Sequence, residues 1–235
     1  MYGYMPMYYF DPTYILILIG VLLSMGASAK LNATYGRYSS VASRCGMTGA
    51  QAAQRILQSQ GIYDVTVRHV SGRLTDHYDP RSKTVNLSDA VYGSTSIAAI
   101  GVAAHECGHA IQHNINYAPL NIRSAIVPVA NIGSSLSWPI FLLGLILSIP
   151  ALTTVGIVLF SLAVLFQLVT LPVEFNASSR ALKMLESTGI LSHEENKGAK
   201  KVLTAAALTY VAALASSILQ LLRLIILSGG RRRDD

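Results

Sequence analysis

The chain has 235 residues, of which 51% are hydrophobic and only 13% are charged, about half the charged fraction of an ordinary soluble protein. The mean hydropathy of +0.44 and the concentration of apolar residues in long runs exclude an ordinary soluble domain and predict an integral membrane protein. The net charge of +6 does not indicate nucleic-acid binding, because Lys and Arg are scattered and no aromatic and basic stripe accompanies them. Two cysteines, Cys45 and Cys107, are too few for a disulfide framework.

The first predicted element is an uncharged stretch at residues 13–29, just long enough to cross a bilayer. The sequence Ala27-Ser28-Ala29 resembles a signal-peptide cleavage site, but no positive charge precedes the stretch. We therefore expect an uncleaved transmembrane anchor over residues 1–29.

Residues 30–123 contain nine Lys and Arg and are predicted to form the soluble catalytic body. Residues 47–57 indicate a short helix. Residues 65–70 alternate like a strand, and residues 83–88 indicate a second strand after the Asp79-Pro80 turn. Ser94 or Thr95 is expected to cap the helix that follows.

That helix carries the chain's most informative motif, His105-Glu106-Cys107-Gly108-His109. Residues four apart share one face of a helix, so His105 and His109 can present two imidazoles to one metal ion. Glu106 lies beside the metal rather than on it, where its carboxylate can act as a general base. Cys107 points away from the binding face and is expected to pack against a neighbouring helix. The alternative is a pair of solvated or core histidines that are four apart by chance.

Two further apolar stretches predict a transmembrane hairpin over residues 124–171, with its turn at Ile149-Pro150-Ala151. A hairpin begins and ends on the same side of a bilayer. Glu174, just past its second arm, should therefore return to the level of His105 and His109.

A catalytic zinc site usually has three protein ligands and one open position. Gln112 and Ile115 occupy places where a metzincin would have Gly and His, and no Asp between Asp89 and Asp234 can supply the ligand motif of a site-2-type protease. A Glu from a second helix remains, as in gluzincins. Glu174 is preferred over the alternatives Glu186, Glu194 and Glu195, which lie on the polar segment 172–201 and resemble solvated charges.

The last segment, residues 202–235, combines a fourth uncharged stretch with a basic tail. Its Ala and Ser residues favour close helix packing, and therefore a homo-oligomer or a larger membrane complex. Of the 18 Lys and Arg, 14 lie in the two segments that share a face with the motif, 30–123 and 172–201. The positive-inside rule thus predicts a multi-pass protein of the cytoplasmic membrane, with the N-terminus outside and the catalytic face cytoplasmic. The tail, Arg231-Arg232-Arg233, opposes that orientation if all four helices cross.

The motif His105 to His109, the predicted hairpin and Glu174-x-x-Ala177 resemble the membrane-bound zinc metallopeptidases related to HtpX. The closer resemblance, over nearly the whole chain, is to the YugP-like family of neutral zinc metallopeptidases, and the segments Leu74-Thr75-Asp76-His77-Tyr78-Asp79-Pro80 and Ala103 to Gln112 carry it. This family is related to the gluzincins that include HtpX. The resemblance implies a mainly α membrane protein with about four transmembrane helices and a small α+β zincin-like (minigluzincin) domain. It also implies one Zn²⁺ ion. The chain departs from the wider group at Ser178, where an Asp is usual.

Several polar residues are candidates for supporting the site. Asn176, Ser178 and Arg180 could orient the ligands, and Arg180 could instead stabilise an oxyanion or snorkel beside lipid. His77 is either an oxyanion donor or, as we prefer, a loop residue with a structural hydrogen bond. The strand at 83–88 is expected to hold an extended substrate by backbone pairing.

The leading functional hypothesis is a zinc endopeptidase that cuts membrane-associated or unfolded proteins, with Glu106 as the base. A second hypothesis is a catalytically silent scaffold that holds zinc or regulates a protease complex, although a structural zinc site needs no base. A haem protein is disfavoured, because ligands four apart on one helix cannot occupy opposite axial positions.

Overall fold

The computed structural model describes residues 11–230. Within this range the chain forms seven helices and three short strands. The helices are α1 (Tyr14–Ser39), α2 (Gly49–Ser59), α3 (Asp89–Tyr92), α4 (Ile97–Asn114), α5 (Ala118–Ile146), α6 (Pro150–Ser187) and α7 (His193–Gly230), and the strands are β1 (Thr66–His69), β2 (His77–Asp79) and β3 (Thr84–Leu87).

Four of the helices, α1, α5, α6 and α7, are long and apolar enough to cross a membrane. The prediction of a mainly α membrane protein with a small α+β part is therefore confirmed. Each of these helices extends beyond the apolar run that predicted it. The reason is that hydropathy marks the lipid-facing length, whereas a helix continues wherever its next turns still pack. As a result α6 continues through Pro172 without a break, and Glu174 belongs to the same helix as the second arm of the hairpin.

Close backbone approach holds the membrane helices together in pairs. A Cβ at Gly156 would lie 2.7 Å from the Cβ of Phe141, so α5 and α6 meet with no side chain between them at that point. On α7, the Ser216 hydroxyl donates to the carbonyl of Gly20 at 2.8 Å. These contacts agree with the expectation that small residues serve helix packing.

Arg223, which interrupts the last apolar stretch, is buried rather than exposed to lipid. Its Nε donates to the Thr13 hydroxyl at 3.2 Å, and its Nη2 lies 3.5 Å from Asp11 Oδ2. The guanidinium also lies 4.6 Å above the Tyr14 ring. The carboxylate of Asp11, just before α1, therefore offsets the positive charge of Arg223, which would otherwise be costly at membrane depth. The tail 231–233, which bore on the predicted orientation, lies outside the described residues.

The three strands form one sheet in the order β1-β3-β2, with β1 parallel and β2 antiparallel to β3. Both predicted strands are present, and β2 was not predicted. The expectation that residues 83–88 bind substrate by backbone pairing is wrong, because β3 is the central strand and is paired on both sides. Strand β2, in contrast, lies at the edge of the sheet and also contacts α4.

Helix α4 lies at the centre of the soluble part, and the buried core around it includes Ile56, Leu87, Ile100 and Leu185. Its N-cap is Ser96, whose hydroxyl accepts from the Ala99 amide at 3.2 Å. The predicted cap at Ser94 or Thr95 is therefore wrong by one or two residues. Ser94 instead donates its hydroxyl to the cap residue. Cys107 is fully buried against α2, with its thiol 3.5 Å from the Ala53 carbonyl, so its predicted packing role is confirmed.

Candidate metal centre

Two imidazoles from α4 and one carboxylate from α6 converge at the boundary between the soluble part and the membrane helices. Glu174 Oε2 lies 3.3 Å from His105 Nε2 and 3.6 Å from His109 Nε2. One potential ligand atom from each of the three residues lies within 4.8 Å of the others. The hairpin thus returns Glu174 to the two histidines, as its topology requires.

The two separations from Glu174 Oε2 fit a tetrahedral zinc ion. With zinc–ligand bonds of about 2.0–2.1 Å, two ligand atoms of a tetrahedron lie about 3.3 Å apart. The nitrogen and oxygen donors are also those that zinc accepts, and no fourth His, Cys, Asp or Glu joins the cluster within residues 11–230. The three residues can therefore hold the metal and leave one position for water or substrate.

The charge around the cluster favours a cation. Burial lowers the pKa of His109, but the interaction with Glu174 and the negative charge of Glu106 outweigh that effect and raise its pKa above the usual value. Glu106 itself is buried, 7% exposed, and reaches the same cavity as Glu174. Two carboxylates and two imidazoles in one poorly solvated place attract a divalent ion.

The approach of α4 and α6 depends on Gly108, inside the motif. A Cβ at this position would lie 2.5 Å from the carbonyl oxygen of Ala177. Any larger residue would force the two helices apart, and Glu174 is less than one helical turn from Ala177. In the HExxH motif the two residues between Glu106 and His109 can be of any type. The motif therefore does not indicate that Gly108 allows the close approach of α4 and α6.

Each imidazole is oriented by a hydrogen bond at its other nitrogen. His105 Nδ1 lies 3.1 Å from the Ser178 hydroxyl. A neutral hydroxyl, and not a carboxylate, therefore supports this imidazole. Because a neutral acceptor polarises the imidazole less than an anion does, this ligand is expected to be less basic.

A longer polar network supports His109. Its Nδ1 lies 3.0 Å from Gln112 Oε1, and the Gln112 amide donates to the Val173 carbonyl at 2.8 Å and to Asn176 Oδ1 at 3.0 Å. Arg180 Nε donates to the same Asn176 oxygen at 2.7 Å. Gln112 is fully buried and ties α4 to α6. This role of Gln112 could not be predicted from the sequence, because its partners Val173 and Asn176 lie about 60 residues away along the chain.

The other residues that the sequence suggested for the site, three glutamates and His77, form hydrogen bonds or ion pairs away from the cluster. The alternative ligands Glu186, Glu194 and Glu195 are bonded to His193, Lys197 and Ser192, respectively. His77 begins β2 rather than lying in a loop, and its Nδ1 donates to the Thr75 carbonyl at 2.8 Å. In the neutral ring its Nε2 then accepts from Asn86, so no N–H remains for an oxyanion. This pattern favours the structural role.

Two cavities meet at the cluster, one with a more apolar lining and one with a more polar lining. Both are lined by His105, Glu106, Glu174 and Tyr210. The apolar cavity, of about 140 Å³, lies between α1, α4, α6 and α7. Its walls include Leu31, Val102, Val202, Leu203 and Ala206.

The polar cavity, of about 470 Å³, opens toward β2 and α5. Arg81 and Arg123 line it, and Arg123 Nη1 lies 4.0 Å from Glu174 Oε1. The Nε of Arg123 is buried without a hydrogen-bond partner. Burial raises the pKa of Tyr78 to about 12, so its hydroxyl stays protonated, and it forms a 2.8 Å hydrogen bond with His113 Nδ1. Sequence reasoning missed Arg123 and Tyr210, because neither has a fixed spacing from the motif.

Comparison with known proteins gives two findings. Residues 13–229 match the family described as "Putative neutral zinc metallopeptidase". The chain is also similar to the "Putative membrane protease YugP" of Bacillus subtilis (strain 168), with 49% identity over 215 residues that cover 91% of this chain and 96% of that protein. No solved structure matches the chain.

We expect Gly108→Ala to reduce the zinc content of the purified protein to less than half, because the new Cβ pushes α6 and Glu174 away from the histidines. Zinc is measured by elemental analysis of detergent-solubilised protein. Gly26→Ala is the matched control, since a Cβ at this helical glycine meets nothing within 4 Å. Full zinc occupancy in Gly108→Ala would show that the close approach of the helices is not needed.

We expect Gln112→Leu to weaken zinc affinity about 10- to 100-fold, because His109 loses the acceptor that orients it. Competition with a chromogenic chelator measures the affinity. Gln54→Leu, at an exposed position on α2, provides the control. An unchanged affinity in Gln112→Leu would contradict the role of the buried network.

Proposed function

The chain belongs to the family of neutral zinc metallopeptidases, and from this premise we propose that it is a membrane-embedded zinc endopeptidase of the gluzincin type with His105, His109 and Glu174 as ligands of one ion. The observation that carries the proposal is the convergence of the three donors within 4.8 Å of one another, with the carboxylate of Glu106 beside them. The two cavities that meet there supply room for a peptide on both sides of the cluster.

Zinc in this site would polarise the scissile carbonyl and acidify the attacking water. Glu106 accepts the proton of that water and later returns it to the leaving amine. Ser178 and Gln112 hold the two imidazoles in the required tautomer and orientation. The apolar walls of the smaller cavity exclude bulk water, which strengthens these electrostatic interactions.

The outer edge of β2 is the proposed place for the substrate backbone. This strand contacts α4, and His77 and Tyr78 line the polar cavity next to Glu106. A peptide added to that edge would extend the sheet and cross both cavities. This assignment replaces the central strand β3, which has no free edge.

The linings of the two cavities favour a substrate whose side chains differ in polarity on the two sides of the scissile bond. Leu31, Val202 and Leu203 suit an apolar side chain on one side of the scissile bond. The partly exposed guanidinium of Arg123 suits a carboxylate on the other side. The apolar cavity adjoins Lys30 and Lys201, where the uncharged stretches of α1 and α7 end, so a membrane-associated protein is the favoured substrate class. The basic balance of this face supports a cytoplasmic orientation in the cell membrane.

A silent scaffold that merely holds zinc is the competing proposal. Glu106→Gln distinguishes the two, because it removes the base but leaves all three proposed ligands. We expect this variant to retain zinc and to lose at least about 100-fold in the cleavage rate of a denatured reporter protein. The rate is measured in detergent and compared with the wild type.

Proteomic comparison of cells that carry the wild type or Glu106→Gln then identifies the clients. Retention of wild-type cleavage by Glu106→Gln would contradict the proposed mechanism. Equal biological activity of both proteins would favour the scaffold.

We expect Arg123→Gln to shift cleavage away from peptides with an acidic residue next to the scissile bond, because the polar cavity loses a cation. Profiling with a peptide library measures the preference. Arg55→Gln removes an equal charge from an exposed position on α2 and should leave the profile unchanged. Identical profiles for the two variants would refute a role of Arg123 in substrate selection.

A further inference from the structure

A third cavity lies outside the candidate metal centre, between α1 and α7. Its volume is about 660 Å³. Five of its lining residues carry a positive charge and none carries a negative charge. We call this cavity the basic groove, and its cations are Lys30, Arg37, Lys197, Lys200 and Lys201.

Most of this charge has no counter-ion within residues 11–230. Lys197 pairs with Glu194 at 2.7 Å. No ion pair joins Lys30, Arg37, Lys200 or Lys201 to a carboxylate in the described part of the chain. Glu195, the next acidic residue along, is engaged by the Ser192 hydroxyl and by the Arg44 amide. The groove therefore has at least four uncompensated cations and attracts an anion with more than one negative oxygen.

The basic groove lies where a phospholipid headgroup would lie. On α1 the uncharged stretch ends at Lys30, and on α7 the uncharged stretch begins directly after Lys201. These two residues mark the membrane boundary on adjacent helices. Basic pockets between transmembrane helices at this level are a known mode of anionic lipid recognition.

The shape of the groove is set by residues of both helices. Ala33 and Ala205 keep its walls open, and Thr34 and Thr204 add hydroxyl groups to its lining. The Tyr38 ring, which also lines the groove, packs against α7 at Gly198, where a Cβ would lie 2.8 Å from the ring. Lys30 and Arg37 are two turns apart, about 10 Å along the helix, which is enough to surround a phosphate group.

We propose that the basic groove binds the phosphate headgroup of an anionic phospholipid. The bound lipid neutralises the cations and holds α1 against α7. Neighbouring residues of the same two helices, Leu31, Val202 and Leu203, line the apolar cavity at the candidate metal centre. Lipid binding therefore stabilises one wall of the candidate active site without touching it.

The full-length protein tests this proposal in nanodiscs of phosphatidylcholine with or without phosphatidylglycerol. Native mass spectrometry counts the lipids that remain bound after release from the disc, and thermal unfolding reports the stabilisation. The variant replaces Lys30, Lys200 and Lys201 by Gln. The control replaces three exposed arginines of the soluble part, Arg55, Arg68 and Arg73, by Gln and changes the net charge equally.

We expect the wild type and the control to retain phosphatidylglycerol in preference to phosphatidylcholine and to melt at a higher temperature in its presence. The groove variant should lose the preference, because each cation removed should lower the affinity for phosphatidylglycerol about fivefold. Equal preference in the groove variant would overturn the proposal, and so would a wild type that does not distinguish the two lipids. Soluble glycerol 3-phosphate is the second arm. If it stabilises the protein as well as the lipid does, the groove is a site for a free anion and the lipid assignment is wrong.

Discussion

The contact between α4 and α6 is the constraint on which the metal centre depends. Two histidines on one helix can hold a metal only weakly, because they supply two ligands and leave most of the ion exposed. The third donor must come from a segment about 70 residues away in sequence, as the 69-residue separation of His105 and Glu174 shows. Gly108 permits the backbones to touch at Ala177, and the buried amide of Gln112 joins them again at Val173. Between these two contacts, Glu174 has little freedom to leave the imidazoles.

This arrangement also explains why the polar groups inside it are tolerated. Gln112 is fully buried, yet both of its polar atoms have partners, so it does not incur the cost of an unsatisfied group. The network continues through Asn176 to Arg180, so two residues, Gln112 and Asn176, separate the positive charge from the candidate ligand His109. Ser178 is the weaker support. A hydroxyl can orient His105, but it adds no negative charge, so most of the electrostatic attraction for a cation comes from Glu174 and Glu106.

The sequence was sufficient for those parts of the structure that follow from spacing along the chain. The His105–His109 pair follows from helical periodicity, and the position of Glu174 follows from the requirement that a hairpin return to its starting side. Other features could not be predicted, because packing between distant segments decides them. Hydropathy does not show that α6 continues through Pro172, and three residues are too few to reveal β2. Arg123 and Tyr210 reach the cavities from two separate helices, and no local pattern connects either of them with the motif.

The membrane helices do more than anchor the soluble part. Helix α7 supplies Val202, Leu203 and Tyr210 to the cavities at the metal centre and Lys200 and Lys201 to the basic groove. Helix α1 contributes in the same way, with Leu31 on one side and Lys30 on the other. Adjacent residues on each helix therefore face the candidate active site and the lipid boundary. A change in the separation of α1 and α7 alters both cavities together, because the two helices form a shared wall. The packing of α1 against α7 therefore shapes both the cavity beside Glu106 and the basic groove.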